Sequence, residues 1–208
     1  MPIVTAIKEQ VKRSDRYSIY IDNKYGFSLS AQQLAESELA SGQELSEAEI
    51  EDYQQASEYG KALQAAYRLL SYRPRSEREM RDRLSRKKYD EPTVDAVVTR
   101  LSEIKLLDDI TFAASWVDQP KSKNRSTRRL SQELVLKGID SDLIKETATA
   151  LESEDHDRVA ILALIEKKLQ KNTPQDRQKL VGYLVRQGFR ISLVLQILKQ
   201  DFSEIHWL

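Results

Sequence analysis

A pattern that repeats every 50 residues constrains the fold of this chain more than any other feature of its sequence. Apolar or aromatic residues occupy four registers of this pattern in three copies each: Met80, Leu130 and Leu180; Leu84, Leu134 and Leu184; Tyr89, Ile139 and Phe189; Val94, Ile144 and Val194. Agreement at four registers in all three copies is not expected by chance. It indicates three copies of one supersecondary unit.

Within each copy, the spacing of the apolar residues predicts helices. The first two registers lie four residues apart, so they share one face of a helix. Gly138 and Gly188 precede the third register, where the end of a helix favours glycine, and Lys88 stands there in the first copy. A further helical segment is expected before this pair and another after it. We therefore predict a mainly α fold of three tandem three-helix repeats, arranged as a curved solenoid.

The first 30 residues follow a different pattern, which is typical of β-strands. Residues 17–21 and 25–29 are rich in β-branched and aromatic side chains and flank the turn residues Asp22, Asn23 and Lys24. They predict a small N-terminal β-hairpin or three-stranded sheet. The predicted segments are a β-containing extension with acidic helices at 1–58 and helical repeats at 59–108, 109–156 and 157–208.

The residue types that many enzymes and cofactor sites need are scarce. The chain has no cysteine among its 208 residues, which excludes disulfides, iron–sulfur clusters and thiol catalysis. Neither His156 nor His206 lies in a metal-binding spacing, and no glycine-rich phosphate loop occurs. Asp108 and Asp109 are interpreted as caps of a helix start. We therefore expect a protein that is not an enzyme and that has no metal site and no cofactor.

Hydropathy gives no indication of a membrane partner. The longest uninterrupted apolar run, residues 159–165, is far shorter than the roughly 20 residues that span a bilayer. The first ten residues lack the basic and then apolar pattern of a signal peptide. We expect a cytoplasmic protein that does not contact a membrane.

Charge is distributed unevenly, although 33 Lys and Arg balance 33 Asp and Glu. Residues 1–60 hold 5 basic and 11 acidic side chains, whereas residues 61–100 hold 11 basic and 6 acidic ones. Because salt screens charges beyond about 8–10 Å, the local excess matters more than the zero sum. An anionic partner is therefore compatible with this sequence.

Two basic clusters supply the candidate binding residues. The first lies in residues 73–88, where acidic neighbours also allow an ordinary solvated face. The second has no acidic residue between Pro120 and Gln132, which favours an anionic partner such as backbone phosphate or an acidic protein groove. The candidate residues are Arg73, Arg75, Arg78, Arg81, Lys87 and Lys88 in the first cluster and Lys121, Lys123, Arg125, Arg128 and Arg129 in the second.

The aromatic residues favour core packing over base stacking. Phe112 and Trp116 lie four residues apart and are predicted to share a buried helix face. Tyr67 and Tyr72 stand near the first cluster, and packing in the core or at its edge is the favoured interpretation for them.

Four stretches together resemble the RecX family of regulatory proteins. They are residues 69–80 (LLSYRPRSEREM), 106–117 (LLDDITFAASWV), 130–140 (LSQELVLKGID) and 184–189 (LVRQGF). The N-terminal region resembles the β-containing extension of longer members. The resemblance implies a curved molecule of tandem three-helix units. It also implies binding to the RecA recombinase, particularly its filament on single-stranded DNA, and inhibition of RecA's activities.

The third repeat departs from the first two at two positions. Arg190 stands where they have Asp90 and Asp140, and Gln187 stands where they have lysine. Equal binding by all three repeats is therefore not implied.

Two functional hypotheses remain open at this point. The leading one is a non-catalytic regulator whose basic clusters dock into an anionic groove of a RecA–DNA filament. The alternative is direct binding of single- or double-stranded DNA, because helix-turn-helix-like units with basic helix starts can contact a phosphate backbone.

Overall fold

The computed structural model describes residues 1–11, 13–153, 155–169 and 176–202. Within them the chain forms a small sheet followed by ten helices. The strands are β1 (Val4–Gln10), β2 (Arg13–Ile21) and β3 (Lys24–Ser30). The helices are α1 (Ala31–Ser37), α2 (Glu47–Tyr72), α3 (Glu77–Ser85), α4 (Glu91–Glu103), α5 (Asp109–Asp118), α6 (Thr127–Leu136), α7 (Ser141–Ser153), α8 (His156–Leu169), α9 (Arg177–Arg186) and α10 (Ile191–Gln200).

These elements divide into two compact units. Unit 1 comprises Met1–Arg75 and Met80–Leu107, and unit 2 comprises Ser76–Glu79 and Asp108–Leu208. Helix α2 runs without a break, so the predicted boundary between residues 58 and 59 lies inside it. The four predicted segments stay a prediction. The mainly helical fold with three-helix repeats is confirmed, as α2–α3–α4, α5–α6–α7 and α8–α9–α10.

The N-terminal sheet has three antiparallel strands in the order β1-β2-β3. Ile19 of β2 lies opposite Ile7 of β1 and Phe27 of β3. Asp22 and Asn23 both have positive φ, 48° and 65°, as the favoured two-residue hairpin turn requires. Of the two arrangements that the sequence allowed, the structure therefore has the three-stranded sheet.

Helix α2 connects this sheet to the first repeat within unit 1. Phe27 stacks on Tyr53 with ring centroids 5.2 Å apart. The backbone N–H of Ser28 donates to Oγ of Ser57 at 3.2 Å. Further along the helix, fully buried Ala66 packs in the core of the first repeat. One continuous helix thus contributes to two hydrophobic cores.

Each repeat has a buried core to which the predicted registers contribute. The registers that begin with Met80, Leu84 and Val94 are buried in all three copies, and the register that begins with Tyr89 is buried in the second and third copies. Tyr89 itself is partly buried. Full burial of such a side chain stabilises the folded chain by about 1.5–3 kcal/mol, so the repeated pattern marks the main source of packing energy.

A serine at the start of α6 connects the second repeat to the third. Oγ of Ser126 accepts a hydrogen bond from the N–H of Arg129 at 3.2 Å. The same hydroxyl donates to the carbonyl oxygen of Gln187, at the end of α9, at 3.1 Å. The hydroxyl group thus accepts from an N–H group at the start of one helix and donates to a carbonyl group at the end of another.

The first turn of α3, which belongs to unit 2, has the same arrangement. Oγ of Ser76 accepts from the N–H of Glu79 at 3.2 Å and donates to the carbonyl oxygen of Lys137, at the end of α6, at 2.6 Å. We refer to Ser76 and Ser126 as the inter-repeat serines. They stand 50 residues apart, so the polar contact repeats with the same period as the apolar core.

Aspartates supply a second acceptor at both helix starts. The N–H of Thr127 donates to Oδ1 of Asp157 at 2.7 Å, and the N–H of Glu77 donates to Oδ1 of Asp109 at 2.9 Å. The first four N–H groups of a helix have no acceptor within that helix. Carboxylates from the first turns of α8 and α5 therefore complete the N-terminal ends of α6 and α3.

Close approach at these contacts requires glycine after α6 and after α9. Gly138 has a φ of +79°, and a Cβ there would lie 2.5 Å from Cβ of Arg78. Gly188 has a φ of +94°, and a Cβ there would lie 2.5 Å from Oγ of Ser126. Lys88 occupies the equivalent place after α3 with a φ of 67° and is exposed. Glycine at the two predicted positions is thus explained both by the positive φ and by the lack of room for a Cβ atom.

The third repeat has a different cap at the equivalent position. Asp176 begins α9 where the other repeats have the inter-repeat serines. Its Oδ1 accepts from the N–H groups of Gln178 and Lys179 at 2.8 and 3.2 Å. The hydrogen bond from the Lys179 N–H holds the pKa of this carboxyl below its usual range. Because an ionised carboxylate only accepts, Asp176 cannot donate to a carbonyl oxygen as the serines do.

We expect Gly138→Ala and Gly188→Ala to destabilise the protein more than Gly42→Ala does. All three glycines have positive φ, which costs an L-residue about 1–2 kcal/mol. A Cβ at Gly42 would meet nothing within 4 Å, whereas at the other two positions overlap adds about 1–3 kcal/mol. Urea unfolding followed by circular dichroism measures the difference. Equal losses in all three variants would contradict the close contacts.

We also expect Asp109→Asn to change how stability depends on pH. Burial raises the pKa of Asp109, and the hydrogen bond from the Glu77 N–H opposes this shift. Because the folded pKa lies above the unfolded one, the wild-type protein loses stability as pH rises through the raised value. Asparagine keeps an acceptor oxygen and does not ionise.

The free energy of unfolding of the Asp109→Asn variant, relative to wild type, should therefore rise as the pH is raised above about 3.9, the ordinary pKa of an aspartate. Urea titrations at a series of pH values measure this difference. A difference that stays constant across the range would show that burial of Asp109 does not control its ionisation.

Candidate functional site

The second basic cluster lies on the loop between α5 and α6 and on the first turn of α6, in unit 2. Lys121, Lys123 and Arg128 are exposed, and no carboxylate in the described part of the chain forms an ion pair with them. Buried Ser122 holds the loop, because its Oγ donates to the carbonyl oxygen of Trp116 at 2.7 Å. Three positive charges therefore face solvent, two of them on an anchored loop and one on the helix that follows it.

The other two members of this cluster form ion pairs inside the protein. Nη1 of Arg125 lies 2.5 Å from Oε2 of Glu133, and Nε of Arg129 lies 3.4 Å from Oε1. Nε1 of Trp116 donates to the same carboxylate at 3.2 Å. The expectation that the cluster lacks a counter-charge is wrong for Arg125 and Arg129. Glu133 stands four residues after Arg129 on α6, and this i,i+4 spacing could have predicted the ion pair from the sequence.

Arg129 also takes part in the contact between the second and third repeats. Its Nη1 donates to Oε1 of Gln187 at 2.6 Å, beside the bond between Ser126 and the Gln187 carbonyl. Gln187, which stands where the first two repeats have lysine, thus supplies an acceptor for an arginine. Arg129 contributes to repeat packing.

The first basic cluster is not one continuous cationic surface. Arg75 is 8% exposed and its Nε donates to the carbonyl oxygen of Leu69 at 3.2 Å, so it is a buried residue of unit 1. Arg81 forms an ion pair with Asp95 on α4. The members that remain exposed are Arg73, Arg78, Lys87 and Lys88. The expectation that Arg75 contributes to an exposed cationic surface is therefore wrong, whereas a binding role for the exposed members stays a prediction.

The prediction of core packing is correct for one pair of aromatic residues and not for the whole of the other pair. Phe112 and Trp116 stack with ring centroids 5.7 Å apart and pack in the core of the second repeat, as predicted. Tyr72 is 79% exposed and is not among the residues that pack on the core of the first repeat, so packing in the core or at its edge is the wrong interpretation for it. Tyr67 is 40% exposed, which is compatible with packing at the edge of the core.

The residues considered for catalysis or metal binding have structural contacts. Asp108 caps α5, as predicted, because its Oδ1 accepts from the N–H of Ile110 at 3.0 Å. Nε2 of His156 lies 3.0 Å from the carbonyl oxygen of Arg125, and His206 lies outside the described residues. Among the residues that the structure describes, no group of three or more His, Asp or Glu could hold a metal ion. No helix of the described chain is long and apolar enough to cross a membrane.

Family models match three parts of the chain. The model described as "Regulatory protein RecX N-terminal domain" matches residues 2–46. Those described as "RecX, first three-helix domain" and "RecX, second three-helix domain" match residues 62–101 and 108–147. The sheet and two repeats thus fall within known RecX domains.

Curated relatives and solved structures extend this similarity to nearly the whole chain. The Regulatory protein RecX of Bacillus subtilis (strain 168) is 35% identical over 204 residues, covering 96% of this chain and 77% of the relative. The Regulatory protein RecX of Listeria monocytogenes serotype 4a (strain HCC23) is 31% identical over 209 residues, covering 97% and 77%.

Two solved structures share the fold. The structure titled "Crystal structure of regulatory protein RecX" has a TM-score of 0.69 at 28% identity and covers 98% of this chain and 100% of its own. The structure titled "Crystal structure of RecX from Lactobacillus salivarius" has a TM-score of 0.60 at 22% identity and covers 72% and 99%, which supports the fold alone. With the sequence identity to curated relatives, these matches establish that the chain belongs to the RecX family of regulatory proteins.

Proposed function

We propose that this protein binds the RecA recombinase, particularly its filament on single-stranded DNA, and inhibits filament extension, RecA's ATPase and strand exchange. It acts in the cytoplasm as a non-catalytic regulator. Membership of a family named for regulation supports this proposal. The resemblance of residues 69–80 and 130–140 to RecX motifs supplies the choice of partner.

The exposed cations of unit 2 supply the contact surface in this proposal. Lys121, Lys123 and Arg128 lie on a loop and a helix start, and no described carboxylate neutralises them. Positive charge beside the N-terminus of α6 is also unfavourable to the helix dipole, so these side chains gain most from an anionic partner. Acidic side chains of RecA and phosphates of the bound strand both meet that requirement.

Direct DNA binding without RecA is the alternative function. The observation that favours it is that the exposed Arg128 lies in the first turn of α6, where a basic helix start of a helix-turn-helix-like unit can contact a phosphate. Phosphate neutralisation would make the affinity fall steeply with salt concentration. Binding of duplex DNA in the absence of RecA, with such a salt dependence, would favour this alternative.

We expect the charge reversal Lys121→Glu/Lys123→Glu/Arg128→Glu to weaken inhibition of RecA's DNA-dependent ATPase. The concentration for half-inhibition should rise about tenfold or more, because three attractive contacts become repulsive. Arg125 and Arg129 are left unchanged, since reversing them would place carboxylates against Glu133. The measurement is a titration of the regulator into RecA with single-stranded DNA and ATP.

The matched control is Lys167→Glu/Arg177→Glu/Lys199→Glu. These three cations are also exposed residues of unit 2, and the change in net charge is the same. The control should inhibit as wild type does. Full inhibition by the loop variant would exclude this surface, and absence of inhibition by the wild-type protein would exclude RecA as the target.

A further inference from the structure

An open groove on unit 1 combines positive charge with an exposed aromatic ring. It encloses about 320 Å³ between one face of α2 and the turn that joins α3 to α4. Lys61, Arg68 and Tyr72 of α2 line it together with Lys87 and Tyr89 of the turn. The α2 residues stand at intervals of seven and four, so they form a row of about 16 Å along the helix.

The charges of the groove are available to a ligand. Lys61, Arg68 and Lys87 form no ion pair with any residue that the structure describes, and no carboxylate lines the groove. Asp15 lies beside the groove, where its Oδ2 accepts a hydrogen bond from Nε2 of Gln64 at 2.8 Å, so one negative charge stands near the three positive ones. Three like charges in one concave surface repel each other, so an anion bound there would gain favourable interaction with all three.

Tyr72 adds a second and independent feature. It is 79% exposed at the end of α2, although an aromatic ring of this size normally buries most of its surface. A tyrosine ring at the mouth of a cationic groove offers a flat face for a planar group. Bases stack on such rings irrespective of sequence, and neighbouring cations bind the phosphates.

We propose that this groove binds a short segment of single-stranded nucleic acid. One base stacks on Tyr72, and phosphates further along the same strand contact Lys61, Arg68 and Lys87. The site is independent of the RecA contact proposed above, because the loop between α5 and α6 contributes none of its residues.

An acidic peptide would also be attracted by the three cations, but it would make no use of the exposed ring. The combination of spaced cations with an unburied aromatic side chain therefore favours a nucleic acid strand. A free nucleotide carries the same base and phosphate groups as a strand. A competition experiment distinguishes these two ligands.

The test is fluorescence anisotropy of the full-length protein with a labelled oligothymidylate and no RecA. Tyr72→Ala should weaken binding about fivefold or more, whereas Tyr72→Phe should retain it, because stacking needs only the ring. Lys61→Gln/Arg68→Gln/Lys87→Gln should weaken binding and reduce the steepness of the log affinity against log salt plot by about 2. Circular dichroism confirms that each variant is folded.

The matched control, Lys24→Gln/Arg83→Gln/Lys199→Gln, removes three exposed cations elsewhere and should bind as wild type does. Each of the following outcomes would overturn the proposal: equal weakening by the control, unchanged affinity in Tyr72→Ala, or equal binding of an oligoglutamate of matched charge. Displacement of the oligomer by thymidine monophosphate at the same nucleotide concentration would exclude a strand as the ligand. RecA is absent, so failure here leaves the proposed regulation of RecA untouched.

Discussion

The helical part of unit 2 depends on a hydroxyl group that donates and accepts at the same time. A helix start presents N–H groups without acceptors, and a helix end presents carbonyl groups without donors. The inter-repeat serines, both fully buried, satisfy one of each. Loss of either hydroxyl would leave buried polar groups unpaired, at about 1–3 kcal/mol. Apolar registers supply most of the burial energy, but these polar contacts set where one helix end lies on the next helix start.

The same contacts decide which cations are available to a partner. Arg129 reaches Gln187 because the inter-repeat serine Ser126 brings the end of α9 against the start of α6. It also pairs with Glu133, one turn further along α6. Arg125 pairs with the same glutamate. Positive charge that faces solvent is therefore left on Lys121 and Lys123 of the neighbouring loop and on Arg128 in the first turn of α6. Two of the five basic residues of this cluster thus stabilise the repeats, and the other three form an exposed surface.

Much of the fold could be predicted from the sequence because both the apolar residues and the residues at helix ends repeat with the same period. The spacing of leucines gives the helix faces, and Gly138 and Gly188 mark helix ends that need positive φ. The candidate site was less predictable, because residues inside the acid-free interval form ion pairs with a residue just outside it. The acid-free interval ended at Gln132, one residue before the glutamate that neutralises two of its arginines.

The sequence by itself determined that this is a mainly helical protein of three related units with a small β-region and no cysteine chemistry. Periodic burial of apolar residues and local capping are short-range properties, so they can be read along the chain. Only the tertiary structure decided that Arg75 is buried while Tyr72 is exposed. Both stand within residues 69–80, and neither composition nor helical period distinguishes them. Burial there depends on which neighbouring element covers the end of α2, and that is a property of the folded unit.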